Sequence, residues 1–314
     1  MADTTRQAAR LLFLHAQTGL HPGSGTALGL VDLPVQRERH TQWPTVPGSA
    51  IKGVLRDRCR EKAKTNYGGD RKKANEEDDD LVAAFGPGKG NDASDHAGAL
   101  AITDARLAAF PVRSLRGVFA WVTCPAVLGR LNRDLHIAAS PNAFDVPTLD
   151  DNTHLLCADK SPLRIGESAV VLEEFEYTAK ANCDSIANWF AKHATADPIT
   201  ASRLKSHLAV IHDDAFTHYA RHATEIVARI GLDYTTKTVK SGALFYQEVL
   251  PAETLLYAAI LANPSRKDGY AKSANDMLDY ITNQLGPDAV LQIGGDETVG
   301  KGLCFARLTD GKGD

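Results

Sequence analysis

The chain has 314 residues, of which 43% are hydrophobic and 24% are charged, a composition typical of a soluble globular protein. Its formal net charge of −4 excludes a histone-like polycation, so any nucleic-acid surface has to be a local basic patch. The longest apolar run, 255–262, is far shorter than the roughly 18–20 residues of a membrane span, and we expect no membrane contact. Five scattered cysteines and the lack of a signal-peptide core at the start predict a cytoplasmic protein.

The first half of the chain alternates between apolar strands and amphipathic helices. In chain order, the pattern predicts a strand at Leu11 to Leu20, a helix from a Ser49 cap to Ala63, strands at Gly98 to Leu107 and Gly117 to Thr123, and a helix at Pro125 to Leu135. Residues 64–96 are polar and glycine-rich, which indicates an insertion or flexible loop.

The second half has the same mixture. We expect an irregular segment at 138–166, a strand at Ala169 to Tyr177, a helical region at 184–224, a hairpin that joins Ala243 to Val249 with Thr254 to Leu261, and a helix at Ala274 to Leu285. This order predicts an α+β fold with an antiparallel sheet, built like β-α-β-β-α-β. Without a clean linker, the sequence predicts a single domain over 1–314 with insertions at 64–96, 138–166 and 184–224.

Two glycine-rich stretches lie near the ends of the chain, at 21–40 and 292–302. Glycine permits close backbone approach, and consecutive amides can bind phosphate oxygens. The first stretch has the spacing G-x-G-x-x-x-G and is followed by the extended, proline-broken segment 30–34, which argues against a dinucleotide site. The second fits G-x-x-x-x-G-K, but Gly302 replaces the magnesium-binding hydroxyl and a strand follows, which disfavours nucleotide hydrolysis. Phosphate contact and a plain turn between strands both stay open.

Asp32 is a single carboxylate in an otherwise apolar stretch. It is either a turn aspartate that binds local backbone or a group placed opposite a scissile phosphate, and the residues alone leave both open. Basic side chains that are candidates for a phosphate-binding groove are Arg37, Arg39, His40, Lys52, Arg56, Arg113, Arg116, Arg130 and Arg133.

Together these segments resemble the RAMP superfamily of CRISPR proteins and, more narrowly, the Cmr4 family of type III-B backbone subunits in the Cas7 group. The resemblance is carried by H-P-G-S-G at His21, L-G-L-V-D-L-P-V-Q-R-E-R-H-T from Leu28, P-G-S-A-I-K-G-V-L-R from Pro47, F-P-V-R-S-L-R-G-V-F-A-W-V-T-C-P from Phe110, and Q-I-G-G-D-E-T-V-G-K-G from Gln292. It implies a ferredoxin-like, modified RRM palm with large insertions, one of which is a thumb that wedges between bases of a guide–target duplex. Our candidate for the thumb is the polar stretch Thr235 to Ser241.

The resemblance also implies a function. Copies would stack head to tail along a CRISPR guide RNA with other Cmr subunits, and each copy would cleave complementary single-stranded target RNA at regular spacing. The family's cleavage aspartate falls on Asp32, which would also be the metal ligand for a divalent ion such as Mg or Mn, and the neighbouring histidine falls on His21.

The expected RNA-binding residues are Gly23, Ser24, Gly25, Arg37, Arg39, His40, Ser49, Lys52, Arg56, Arg113, Arg116, Lys237, Lys240, Gly294, Gly295 and Lys301. Two alternatives are a scaffold that binds guide RNA without cutting and a free-standing ribonuclease that trims precursor guide RNA.

Overall fold

The computed structural model describes residues 7–88, 96–138, 144–287 and 289–309. Within these ranges lie fourteen strands, which are β1 (Ala8–Ala16), β2 (Thr45–Val46), β3 (Leu100–Ile102), β4 (Ala105–Arg113), β5 (Phe119–Thr123), β6 (His154–Cys157), β7 (Ala169–Leu172), β8 (Phe175–Ala181), β9 (Leu208–Ile211), β10 (Glu225–Leu232), β11 (Val239–Val249), β12 (Leu255–Ala262), β13 (Ala289–Gln292) and β14 (Leu303–Thr309). The same ranges hold eight α-helices, which are α1 (Gly48–Ala63), α2 (Arg71–Glu77), α3 (Asp79–Phe85), α4 (Pro125–Ile137), α5 (Asp184–His193), α6 (Pro198–His207), α7 (Asp213–His222) and α8 (Ala274–Leu285). None of the helices in this described part combines the length and apolar character that crossing a membrane requires.

Twelve of these strands form one sheet. Its order is β13-β14-β1-β12-β4-β5-β9-β6-β8-β7, with β2 attached to β4 and β3 attached to β12. Most neighbours are antiparallel, while β9 runs parallel to β5 and β6 runs parallel to β8. β10 and β11 pair with each other in a separate two-stranded hairpin.

The core lies on both faces of the sheet. Side chains alternate along a strand, and Leu12 and Leu14 of β1 belong to a buried cluster with residues of α1, α3 and α8. Leu11 and Phe13 belong to a second buried cluster with residues of α4 and α5. Since both faces are covered, the sheet is a rigid support for the loops at its ends.

The predicted hairpin between Ala243 to Val249 and Thr254 to Leu261 is wrong. β11 pairs with β10, whereas β12 lies between β1 and β4 in the main sheet. The burial of nearly every residue of β12 explains the difference, because a strand buried on both faces needs a central place in a sheet.

The expectation of a flexible loop over 64–96 is wrong for its described part, which contains α2 and α3. The side chain of Asp78 accepts a hydrogen bond from the Leu81 amide at 2.9 Å and caps α3, whose residues 81–85 are all buried. Asp78 therefore caps a short helix whose buried residues are all apolar. Residues 89–95 lie outside the described ranges.

Two further segments contain strands that the sequence did not predict. The region 184–224 holds α5, α6 and α7, but the four buried residues of β9 interrupt it and lie between β5 and β6. The segment 138–166 contains β6, with residues 139–143 outside the described ranges. A strand of four residues is too short for alternation to distinguish it from the surrounding pattern. The single strand expected at 169–177 is a pair, β7 and β8, that reverses at Glu173.

Candidate functional site

Antiparallel pairing brings several loops to one end of the main sheet. β1 ends with Ala16 opposite Cys304 of β14, and His15 lies opposite Leu255 at the start of β12. The segments after β1 and before β14 therefore emerge side by side. The base of the β10–β11 hairpin joins them, because β11 leads directly into Leu250, which pairs with Leu20.

The two glycine-rich stretches meet at His21. The Gly295 amide donates to the His21 carbonyl oxygen at 3.0 Å. Gly294 has φ +80°, and a Cβ there would lie 2.4 Å from the same carbonyl oxygen. On the other side, a Cβ on Gly23 would lie 2.8 Å from His21 Nε2. Glycine is therefore required at both positions for the loops to close around this histidine.

His21 is 7% exposed, and its ring is fixed by one hydrogen bond. Nδ1 lies 2.7 Å from the carbonyl oxygen of Glu248 on β11. A carbonyl oxygen can only accept, so Nδ1 carries the proton and donates. In the neutral imidazole, Nε2 is then the proton acceptor, and it faces the side-chain-free backbone of Gly23.

Asp32 binds the same strand. Its Oδ2 accepts from the Tyr246 amide at 2.7 Å, and the described residues place no donor against its other carboxylate oxygen. The adjacent Leu33 pairs with the edge of β11, donating to the Tyr246 carbonyl at 3.1 Å and accepting from the Glu248 amide at 3.0 Å. The Asp32 carboxylate thus binds a strand more than two hundred residues away, unlike a turn aspartate that binds local backbone.

The two anchor points on β11 define the spacing of the site. Tyr246 and Glu248 are two residues apart and present backbone groups on one edge, with their Cα atoms about 6.6 Å apart at the usual rise of a strand. Asp32 and His21 are therefore held at successive positions along this edge. A carboxylate can take up a proton, and an imidazole can accept one or, once protonated, deliver one.

Glu248 organises this arrangement, and the sequence did not single it out. Its carboxylate is 6% exposed and accepts from Arg37 Nη2 at 2.5 Å, from the Thr224 hydroxyl at 2.8 Å and from the Val35 amide at 3.0 Å. The available signal was the polar pair Gln247-Glu248 inside the otherwise apolar stretch 243–249.

Arg37, one of the predicted RNA-binding residues, makes several contacts within the chain. Besides Glu248, its guanidinium donates to the carbonyl oxygens of Gln42 at 2.7 Å and Ala220 at 2.9 Å, and its side chain is 17% exposed. The strong pairing to a buried carboxylate makes Arg37 a structural group that fixes the segment behind Asp32. Contact between Arg37 and RNA stays a prediction.

Several other predicted residues also lie at this end of the sheet. Lys301 Nζ lies over Gly19, 3.0 Å from where a Cβ of that glycine would stand. The amide and the hydroxyl of Ser24 both donate to the Pro34 carbonyl oxygen at 3.1 Å and close the loop that carries Gly25 at φ +95°. Their contact with RNA stays a prediction.

Lys52 and Arg56 lie elsewhere. Lys52 Nζ donates to the carbonyl oxygen of Leu100, which pairs with Ala262 at the end of β12 remote from Leu255. Burial lowers the pKa of the Lys52 ammonium and of the Arg56 guanidinium. Lys52 and Arg56 therefore lie away from Asp32 and His21, the candidate catalytic pair. The role of these two cations toward RNA stays a prediction.

Ser49 does not cap α1. The helix begins at Gly48, whose amide donates to Asp104 Oδ1 at 2.8 Å, and Pro47 precedes it. A Cβ on Gly48 would lie 2.3 Å from the Ile102 carbonyl oxygen, so the helix start is set by a close approach that glycine permits. Ser49 is exposed in the first turn.

The remaining predicted cations are spread over the surface. Arg113 and Arg116 flank the β4–β5 turn, where Arg113 pairs with Glu173 at 2.7 Å. Lys237 lies 4.2 Å from the ring centre of Tyr234 in the hairpin turn, and the exposed Lys240, Arg39, His40 and Arg133 complete the group. Arg130 instead pairs with Glu38 at 2.7 Å and is 15% exposed, so it is an internal contact.

Comparisons with known proteins show the family of the chain. The model of the RAMP superfamily matches residues 13–305, and the chain belongs to that superfamily. Within it, the chain belongs to the Cmr4 family. It is 38% identical over 306 residues to the CRISPR system Cmr endoribonuclease Cmr4 of Pyrococcus furiosus, covering 96% of each chain.

Two solved structures are similar over nearly the whole chain. Oligomeric Cmr4 from Pyrococcus furiosus has a TM-score of 0.70 at 29% identity and covers 96% of this chain and 97% of its own. The type III-B Cmr-beta structure bound to cognate target RNA has a TM-score of 0.70 at 20% identity and covers 96% of both chains, which shows the fold alone. The α+β RAMP fold and the family resemblance are confirmed.

Proposed function

We propose that this chain is the backbone subunit of a type III-B CRISPR effector complex and that it cleaves target RNA bound to the guide. The observation that carries this proposal is the attachment of Asp32 and His21 to one edge of β11, where the two glycine-rich loops meet. The endoribonuclease Cmr4 of Pyrococcus furiosus, 38% identical to this chain, supports the reaction class.

In the proposed reaction, the 2′-hydroxyl of the target RNA attacks the adjacent phosphate and the bond from phosphorus to the 5′-oxygen breaks. The products are a 2′,3′-cyclic phosphate and a 5′-hydroxyl. Asp32 is the essential group, because its half-buried carboxylate can take the hydroxyl proton while the Tyr246 amide holds it in place. His21 binds the phosphate or, as the imidazolium, gives the leaving 5′-oxygen its proton through Nε2, with Nδ1 fixed by the Glu248 carbonyl oxygen. If His21 only binds the phosphate, water supplies that proton.

A divalent cation at Asp32 is part of the proposal. Among the described residues there is no group of three His, Cys, Asp or Glu side chains placed to hold a metal ion. Magnesium commonly binds proteins through one or two carboxylates and completes its shell with phosphate oxygens and water. Asp32 is the residue that would hold such an ion, which would neutralise charge on the RNA phosphate.

The proposal extends to partners and location. The oligomeric Cmr4 structure supports further copies of this chain as partners. In the proposed assembly these copies stack head to tail along the target strand. Guide RNA and further Cmr subunits complete the proposed assembly. Five buried, unpaired cysteines are consistent with a cytoplasmic location, where thiols stay reduced.

The test is a comparison of binding and cleavage by the reconstituted complex. Asp32→Asn keeps the size of the side chain but removes its charge, and we expect normal target binding with cleavage lost. The exposed Asp268→Asn is the matched control and should cut like wild type. Cleavage by the Asp32→Asn complex at unchanged positions would show that Asp32 is not the cleaving group, and a wild-type complex that binds target without cutting it would favour the scaffold. Trimming of precursor guide RNA by the isolated chain would instead favour the processing ribonuclease.

A further inference from the structure

A three-residue polar network joins the β10–β11 hairpin to the C-terminal glycine loop. Arg229 of β10 lies 2.6 Å from Asp296 Oδ1, and Gln247 of β11 donates to Asp296 Oδ2 at 2.6 Å. Arg229 also donates to Gln247 Oε1 at 2.7 Å, so the three side chains form a closed triangle. Gln247 is 4% exposed, and the Asp296 side chain is 21% exposed.

Asp296 makes these contacts from a left-handed backbone conformation. Its φ is +64°, in the left-handed region that non-glycine residues rarely adopt. Gly294, two residues earlier, has φ +80°. Burial alone would raise the pKa of Asp296, but the hydrogen bonds from Arg229 and Gln247 outweigh that effect and lower it. The carboxylate is therefore ionised at neutral pH and keeps both bonds.

The network is adjacent in the chain to the backbone groups that hold His21 and Asp32. Asp296 follows Gly295, whose amide binds the His21 carbonyl oxygen. Gln247 lies between the two residues of β11 whose backbone groups bind the Asp32 carboxylate and the His21 ring. A shift of the glycine loop against β11 would therefore change the position of His21 relative to Asp32.

We propose that Asp296 is a positioning residue for RNA cleavage, which ties the glycine loop to the hairpin base and holds His21 in place beside Asp32. The inference rests on the proposed function. Asp296 itself acts through Gln247 and Gly295, so its loss should affect the cleavage rate and leave the binding of RNA largely unchanged.

The experiment uses the reconstituted complex under single-turnover conditions, with complementary RNA in the presence of excess complex. We expect Asp296→Asn to slow cleavage by about 10- to 100-fold, the usual effect of removing a group that orients an active-site residue. Target affinity and the unfolding midpoint of the chain should stay at wild-type values. Arg229→Gln combined with Asp296→Asn should be no slower than the slower single variant, because both break one network.

Glu297→Gln, at the exposed neighbouring position, is the control and should cut at the wild-type rate. Wild-type cleavage by Asp296→Asn would overturn the proposal, as would a parallel loss of affinity or stability, or equal slowing by Glu297→Gln. Failure of the proposed function is recognised separately, by a wild-type complex that does not cut or an Asp32→Asn complex that does.

Discussion

Glu248 places a negative charge where the side chain is almost completely buried, and three donors surround it. Its backbone also serves the site, since its carbonyl oxygen binds His21 and its amide binds Leu33 next to Asp32. One residue thus combines a buried ion pair with the anchoring of both candidate catalytic groups. A buried charge is costly unless it is paired, so Glu248 and Arg37 depend on each other.

Glu248→Ala should lower the free energy of unfolding by about 3 kcal/mol or more, because it leaves the Arg37 guanidinium buried without its partner. Urea unfolding of the isolated chain measures this change. Glu297→Ala, which removes an exposed carboxylate, should stay within about 0.5 kcal/mol of wild type. A loss under about 1 kcal/mol for Glu248→Ala would mean that this ion pair contributes little.

At the scale of elements, the C-terminal glycine loop acts through its contact with the loop after β1. Gly294 approaches the His21 backbone so closely that any side chain would collide with it. Gly300, in the same loop, has a similar φ of +77° but open space around its Cα. Alanine substitutions at the two positions therefore separate the effect of backbone strain, which both share, from the effect of the collision, which occurs only at Gly294.

Gly294→Ala should reduce cleavage strongly, since the new methyl group displaces His21, whereas Gly300→Ala should cost only about 1 kcal/mol of stability from backbone strain. Single-turnover cleavage and thermal unfolding, measured side by side, check both expectations. Equal cleavage rates for the two variants would show that the contact at His21 is unimportant for the reaction.

Elements with long periodic patterns were predictable from the sequence. The helices α1, α4 and α8 fall within a few residues of their predicted ranges, because apolar side chains repeat along one face. β9 was not predictable, because its partners β5 and β6 are distant in the chain. The pairing of β11 was missed for another reason, since its partner β10 directly precedes it but the sequence predicted no strand at 225–232. The family motifs led to His21 and Asp32, whereas Glu248 and Asp296 gain their roles only when three distant segments meet.

At the scale of the whole molecule, the covered sheet buries all five cysteines. Burial raises the pKa of Cys59, Cys183 and Cys304 to about 12, so these thiols stay protonated at pH 8. Because the thiolate is the reactive form, a buried protonated thiol is inert.

Iodoacetamide at pH 8 should therefore leave the folded chain essentially unlabelled, and all five cysteines should react once the chain is denatured. Mass spectrometry after a timed reaction measures the number of labels. Rapid labelling of the folded chain would contradict the burial of the thiols in the two clusters.

In the proposed assembly, each copy cuts the RNA that lies against its own Asp32. The most direct measurement is to map cuts in end-labelled target RNA by complexes assembled from equal amounts of wild-type and Asp32→Asn chains. Each regularly spaced cut should fall to about half of its wild-type rate, and complexes with only the variant should bind target and leave it whole. If either assembly cut the RNA at the wild-type rate, a group other than Asp32 would be the one that cleaves it.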